Sequence, residues 1–133
     1  MLAFIDASVI LAALGSKSGG SSQVLKLIKK RKLDGITSQA VIEEVSRNAH
    51  KIKIAESEVS RLISISSLKV ISAPASEEVE EYLDITAAKD AHVVASAIQS
   101  KAKVVITLDK KHLLSGKIKG LGILTPGEFL KNL

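Results

Sequence analysis

Residues 2–8 of the chain read LAFIDAS, in which four apolar residues precede an aspartate. A short apolar run of this kind predicts a buried β-strand over Leu2–Ile5, with Asp6 at its carboxyl end. Residues 104–109, VVITLD, repeat the pattern, so that a second apolar strand is followed directly by Asp109. If the two strands are parallel, both aspartates lie at the same edge of the sheet, where sites form in α/β proteins.

The rest of the chain alternates short strands with longer helical segments. This alternation predicts right-handed crossovers and a largely parallel sheet that helices cover on both faces. The sequence therefore predicts a single α/β domain over residues 1–133, a three-layer α/β/α sandwich with a mainly parallel central sheet. The further strands are expected at 33–37, 69–72 and 122–124, and the main helices at 8–14, 39–52, 54–66 and 88–101.

Several residues are expected to mark helix ends. Gly15 is the expected C-cap of the first helix, and Ser21 or Ser22 the expected N-cap of the second. Ser38 is the expected N-cap of the helix that follows it. Thr125-Pro-Gly-Glu is typical of a capping box with proline at the first helical position, which predicts a short terminal helix.

The composition excludes several classes of site. The 133 residues contain no cysteine, so disulfides, thiolate zinc sites and a cysteine nucleophile are ruled out. No apolar run is long enough to cross a bilayer, and the N-terminus lacks the basic region and cleavage site of a signal peptide. We therefore expect a cytoplasmic protein without membrane contact.

The formal net charge of +5 favours a polyanionic partner such as nucleic acid. The chain has only three aromatic residues, Phe4, Tyr82 and Phe129, so few rings can stack on bases and any contact should be mainly electrostatic. Residues 29–32, with Lys26 before them, form a run of basic side chains. Such a run is usually a solvated helix end, and the alternative is a phosphate-contacting surface.

Two further carboxylates lie where helical geometry can aim them at the same edge. Asp90 opens the predicted helix KDAHVVASAIQ, beside its apolar stripe. In the segment SQAVIEEV, periodicity places Glu44 at the border of the buried stripe and Glu43 on a polar face, so Glu44 is preferred and Glu43 is the reserve. Any one of these acids is explained by an ordinary turn or capping role, but their joint occurrence with Asp6 and Asp109 is not.

Four carboxylates in one place form an oxygen-only ligand set, which suits Mg²⁺ or Mn²⁺ better than zinc or copper. We expect one or two ions, held directly or through water, that activate water against a phosphodiester. Because like charges repel, some of the carboxyl groups should have raised pKa values until a cation binds.

Four segments follow one another along the chain: FIDASVIL, ITSQAVIEEV, AAKDAHVVASAI and VVITLDKKHL. Together they resemble the PIN-domain ribonucleases, the family that includes the VapC-type toxins of toxin–antitoxin pairs. The resemblance covers nearly the whole chain and implies a PIN-like fold. It implies a catalytic metal site at Asp6, Glu44, Asp90 and Asp109. It also implies that small polar residues surround that site, at Ser8, Ser38 and Thr107.

One departure from the family pattern follows the last aspartate. Many PIN domains have a further acid two positions after it, where this chain has Lys111. The change leaves the number of metal ions open. Lys110 and Lys111 are expected to contact phosphate beside Asp109.

Other motifs do not carry chemistry. Residues 15–20 have the outer spacing of a phosphate-binding loop but lack its Lys-Ser/Thr. His92 lies two positions after Asp90, so helical geometry predicts that the two point to nearly opposite sides. His50 and His112 are isolated, and we expect surface or structural roles for all three histidines.

The resemblance implies a metal-dependent endoribonuclease that hydrolyses RNA, the toxin of a toxin–antitoxin pair, with a homodimeric catalytic domain and an antitoxin that blocks the acidic cleft. The alternatives are a catalytically weak RNA-binding or regulatory PIN domain and a solitary RNA-processing nuclease. Metal titration combined with an RNA-cleavage assay separates the first alternative from the nuclease. A neighbouring reading frame for an antitoxin separates the second.

Overall fold

A computed structural model describes residues 1–110, 118 and 120–133. The strands are β1 (Leu2–Ile5), β2 (Asp34–Ser38), β3 (Lys69–Ile71), β4 (Val104–Ile106) and β5 (Gly122–Leu124). The helices are α1 (Ala7–Gly15), α2 (Gly20–Lys29), α3 (Gln39–Lys51), α4 (Glu56–Ser66), α5 (Ser76–Glu80), α6 (Ala91–Gln99) and α7 (Pro126–Lys131), with a 3₁₀ turn at Ala88–Asp90. None of the helices in this part of the chain is long and apolar enough to cross a bilayer.

The five strands form one parallel sheet in the order β3-β2-β1-β4-β5. Helices α1 to α4 pack together, and α7 contacts α2. Helix α6 packs against β1, β2 and β4 and also contacts α5. The chain moves outward from β1 to β3 and then crosses back to β4, so right-handed connections place α5 and α6 on the opposite face from α1 to α4. The predicted α/β/α sandwich with a parallel central sheet is confirmed.

The centre of the core is formed by the two strands whose sequences are unbroken apolar runs. Phe4 and Ile5 of β1 and Val105 and Ile106 of β4 are fully buried. Burial of a side chain of this size contributes about 1.5–3 kcal/mol. These strands are therefore rigid supports for the residues at their ends.

Helix α2 packs directly on the backbone of β2. A Cβ added to Gly35 would lie 2.4 Å from Cδ1 of Ile28 and 2.9 Å from its Cγ1, closer than real side chains approach. Any larger residue at this position would therefore force the Ile28 side chain to shift.

The ends of α1 and α2 differ from the sequence prediction. Gly15 is the last residue of α1 and not its cap, and α2 begins at Gly20, before the predicted caps Ser21 and Ser22. Both serines are buried, and Ser22 Oγ donates to the carbonyl oxygen of Ala13 near the end of α1. The Ser22 hydroxyl thus joins two helices and does not cap its own.

Candidate active site

The ends of β1 and β4 lie side by side where the chain changes direction across the sheet. Phe4 pairs with Val105 and Ile5 with Ile106, so Asp6 and the segment after Ile106 leave the sheet at the same edge. Open α/β sheets have a crevice at such a point, outside the carboxyl ends of the strands.

Asp6 is held by two hydroxyl groups. Its side chain is buried, and Oδ2 accepts hydrogen bonds from Thr107 Oγ1 at 2.7 Å and from Ser8 Oγ at 3.0 Å. Asp6 occupies the N-cap position of α1, but its side chain makes no capping bond to the helix. The ordinary capping role therefore does not explain this aspartate, and the two donors orient its carboxylate without occupying Oδ1.

The same hydroxyl groups position the backbone that leads to Asp109. Thr107 Oγ1 accepts from the Asp109 N–H at 2.9 Å, and Ser8 Oγ accepts from the Leu108 N–H at 3.0 Å. A hydroxyl group has one proton to donate, and here each donates it to Asp6. The 3.3 Å separation between Ser8 Oγ and Thr107 Oγ1 is therefore a close contact within the network. In this network two backbone N–H groups donate to the two hydroxyl groups, and both hydroxyl groups donate to one carboxylate.

Three carboxylates from three different elements lie within electrostatic reach of one another. The pKa of Glu44, on α3, is raised by burial and then by the negative charges of Asp6 and Asp90. Asp90 is buried and ends the 3₁₀ turn that leads into α6, again without capping the helix with its side chain. The raised Glu44 pKa is the behaviour predicted for clustered carboxylates.

Glu43 and Glu44 differ in burial as periodicity predicted. Glu43 is exposed, whereas the Glu44 side chain is 37% exposed and points towards the other acids. Ser38 sits at the start of the same helix and caps it, because its Oγ accepts from the Val41 N–H at 3.2 Å. The structure therefore gives Ser38 a definite role in fixing the helix that carries Glu44.

His92 lies beside one of the acids, Glu44, although helical periodicity predicted only that it points to nearly the opposite side from Asp90. His92 Nε2 lies 3.9 Å from Glu44 Oε1, and the imidazole is 21% exposed. Asp90 itself ends a 3₁₀ turn, with φ −105° and ψ −7°, so the spacing of an α-helix does not extend back to it.

The imidazole contributes little positive charge to the cluster. Burial lowers the pKa of His92 and outweighs the opposite effect of Asp6 and Asp90, so the ring is mainly neutral at pH 7. A distance of 3.9 Å is also too long for a hydrogen bond. His92 and Glu44 therefore form a contact between an imidazole and a carboxyl group. Because the imidazole does not neutralise the acids, their negative charge can interact with another partner.

Lys110 is paired with a carboxylate outside the predicted site. Its Nζ donates to both carboxylate oxygens of Glu128, at 3.0 and 2.9 Å. Glu128 in turn completes the predicted capping box of α7 with Thr125, which is confirmed. The Thr125 N–H and then Lys110 lower the pKa of Glu128. Lys111 and His112 lie outside the described residues.

Two cations that the sequence did not single out lie near the acids. The charges of Arg47 and Lys89 lower the pKa of Glu44, against the effect of Asp6 and Asp90. Both cations are exposed. Their positions three residues after Glu44 on a helix and directly before Asp90 were visible in the sequence and would have identified them.

The donor set fits a hard divalent cation that keeps part of its water shell. In the part of the chain that the structure describes, no three His, Asp or Glu side chains are grouped closely enough to bind one ion together. Mg²⁺ commonly keeps several waters and takes only one or two carboxylates directly. Asp6, Glu44 and Asp90 supply clustered negative charge, and the Thr107 network holds the backbone of Asp109 beside them.

Solved structures share this fold. VapBC2 of Rickettsia felis, bound to a promoter DNA fragment, is 21% identical in sequence. The match covers 92% of this chain and 97% of that chain, with a TM-score of 0.69. PAE2754 of Pyrobaculum aerophilum is 22% identical, and the match covers 98% of this chain and 94% of that chain with a TM-score of 0.68. VapC20 of Mycobacterium tuberculosis, described as a sarcin–ricin loop cleaving toxin, is 16% identical. The match covers 88% of this chain and 97% of that chain, with a TM-score of 0.65.

A comparison with curated protein sequences gives no significant match. The profile of the PIN domain, in contrast, matches residues 3–115, a segment that contains Asp6, Glu44, Asp90 and Asp109. The sequence match covers most of the chain, and the solved structures agree with it in fold. The chain belongs to the PIN domain family.

Proposed function

We propose that the protein is a metal-dependent endoribonuclease that hydrolyses RNA phosphodiester bonds as the toxin of a toxin–antitoxin pair. The observation that carries the proposal is the position of Asp6 at the sheet's switch point, together with the raised Glu44 pKa to which burial and then the charges of Asp6 and Asp90 contribute. Structural relatives described as VapBC proteins and as a sarcin–ricin loop cleaving toxin support the choice of substrate and partner.

In this proposal Asp6, Glu44, Asp90 and Asp109 hold Mg²⁺ or Mn²⁺, as one or two ions. The ion would lower the pKa of a bound water and offset charge on the phosphoryl oxygens. Ser8 and Thr107 keep the Asp6 carboxylate in one orientation through its Oδ2. The exposed Arg47 and Lys89 are placed to attract the substrate phosphate towards the acids.

The test compares two neighbouring glutamates on the same helix. Glu44→Gln should lower RNA cleavage in Mn²⁺ by about 100-fold or more, beyond the 10–100-fold typical of groups that only support metal ligands. Glu43→Gln, an exposed neighbour, should leave cleavage unchanged and serves as the matched control. Calorimetric Mn²⁺ titration of both variants gives a readout independent of activity.

The outcomes separate the nuclease from its alternatives. Equal cleavage by both variants would contradict the assigned site. If the wild-type protein binds RNA but does not cut it in saturating Mn²⁺, it is an RNA-binding or regulatory PIN domain. RNA cleavage by the protein, combined with the absence of an antitoxin gene next to its own gene, would make it a solitary RNA-processing nuclease.

A protein partner is part of the proposal, and the chain has a surface suited to it. A groove of about 620 Å³ lies between α1, α2 and α4, with Leu14, Leu25 and Leu62 among its lining residues. Cations including Lys26 and Arg61 also line it, so it suits an apolar segment flanked by acids. We propose that one segment of an antitoxin binds in this groove while the antitoxin also blocks the acidic cleft, and that the catalytic domain is a homodimer. Co-purification of a short neighbouring gene product, lost in Leu62→Lys, tests the partner, and sedimentation tests the dimer.

A further inference from the structure

The sheet edge opposite the acidic cluster is basic. At the starts of β2 and β4 exposed cationic side chains form what we call the amino-edge face: Lys30, Arg31, Lys32, Lys101 and Lys103. Among residues 30–34 and 101–103 the only acid is Asp34. The charge at this edge is therefore strongly positive.

Backbone hydrogen bonds bring these groups together. The Asp34 N–H donates to the Met1 carbonyl at 3.2 Å, and the Lys103 N–H donates to the Leu2 carbonyl at 3.0 Å, so the starts of β2 and β4 flank the start of β1. Five residue steps separate Met1 from Asp6, or about 16 Å along a strand. The amino-edge face is therefore distinct from the acidic cluster at the other end of β1.

Two of the basic residues occupy positions that normally favour glycine. Arg31 and Lys101 follow α2 and α6 with φ of 59° and 63°, in the left-handed region. At α2 the Arg31 N–H donates to Ile28 and the Lys32 N–H to Leu27, the bonding pattern of a Schellman turn, and α6 ends with the same pair of bonds. Because side chains are strained in this conformation, glycine would be the more stable residue at both positions.

Helix dipoles do not account for the whole set. A cation in the last turn of a helix interacts favourably with the dipole. Helix α2 already has Lys26 and Lys29 there, whereas α6 has no basic residue in its last turn. The dipole thus explains Lys101 but not Arg31, nor Lys103, which lies beyond the turn.

We propose that the amino-edge face binds the phosphodiester backbone of RNA, as a second contact surface remote from the acidic cluster. Clustered exposed lysine and arginine side chains attract phosphates and release counterions on binding. Phe4 and Phe129 are buried, so neither of these rings can stack on bases at this face. The identity of the polyanion as RNA rests on the proposed function, whereas the surface itself rests on charge and geometry.

The test uses glycine substitutions, which remove charge and relieve backbone strain together. In an Asp6→Asn background, which prevents cleavage, Arg31→Gly/Lys101→Gly is compared with the parent for binding of a long structured RNA, by fluorescence anisotropy across a salt series. Ser67→Gly is the matched control, because Ser67 follows α4 with φ 62° and carries no charge. Lys17→Gln removes an exposed charge from the loop between α1 and α2.

The double variant should bind RNA more weakly, with a slope of log affinity against log salt that is less steep by about 0.7–0.9 for each lost phosphate contact. Its melting temperature should not fall, because glycine suits the left-handed turn. Ser67→Gly and Lys17→Gln should bind as the parent does.

Three results would overturn the inference: parent-like binding by the double variant, equal weakening by either control, or tighter binding of duplex DNA of the same length than of RNA. Failure of the proposed function is seen separately, as absence of RNA cleavage by the wild-type protein in Mn²⁺.

Discussion

Replacement of Thr107 by valine tests how the acidic cluster is held together. The Thr107 side chain is fully buried, and valine has nearly the same shape. The substitution removes the donor to Asp6 Oδ2 and the acceptor for the Asp109 N–H. A hydrogen bond to a charged group contributes about 1.5–3 kcal/mol and a neutral one about 0.5–1.5 kcal/mol.

The two lost bonds together are worth about 2–4.5 kcal/mol, and the extra methyl group of valine regains about 0.8 kcal/mol. The free energy of unfolding should therefore fall by about 1–4 kcal/mol. For a domain of this size that lowers the melting temperature by about 4–12 °C. Urea denaturation and a thermal melt without added metal measure both quantities.

Thr107→Ser is the matched control, since it keeps the hydroxyl group and loses only a buried methyl. In calorimetric titration the valine variant should lose about 10–100-fold in Mn²⁺ affinity, as expected when a group that orients a metal ligand is removed. The serine variant should keep its affinity. A valine variant as stable as the wild type, with unchanged Mn²⁺ affinity, would refute the role assigned to the hydroxyl network.

Two further substitutions test the charge and packing of the structure. Glu44→Gln should raise the free energy of unfolding at pH 7 without metal, because burial and the charges of Asp6 and Asp90 raise the Glu44 pKa. The wild-type protein regains this stability as the pH falls through the raised pKa towards 4.5. The difference in free energy of unfolding between the two proteins should therefore shrink with falling pH. A difference that stays constant would contradict the explanation. Gly35→Ala should cost about 1–3 kcal/mol through overpacking against Ile28. Gly122→Ala, whose Cβ would meet only ordinary contacts from 3.6 Å, should be nearly neutral in the same denaturation assay.

The sheet and the placement of the acids could be predicted because each depends on local pattern. The apolar run before Asp6 predicts both a buried strand and the edge at which the aspartate lies. The choice of Glu44 over Glu43 also needed only helical periodicity, because α3 is a regular helix capped by Ser38. Where an element is regular, position in sequence translates directly into position on a face.

The features that could not be predicted depend on irregular backbone or on distant contacts. The contact of His92 with Glu44 joins residues of two helices that are far apart in sequence, so it required the fold. Glycine was the expected signal for helix ends, but the left-handed turns after α2 and α6 are made by Arg31 and Lys101. The pairing of Lys110 with Glu128 joins residues 18 positions apart and required the fold.

The direction of a parallel sheet explains how one small domain keeps its two kinds of charge apart. Asp6 ends a strand and therefore lies at the carboxyl edge, whereas Arg31 and Lys101 end helices that lead into strands and lie at the amino edge. A separation of about 16 Å exceeds the screening length of about 8–10 Å at physiological ionic strength. The basic edge can therefore attract a polyanion without neutralising the acids. The pKa of Glu44 stays raised although Arg47 and Lys89 lie near it, so these nearer cations do not offset burial and the charges of Asp6 and Asp90.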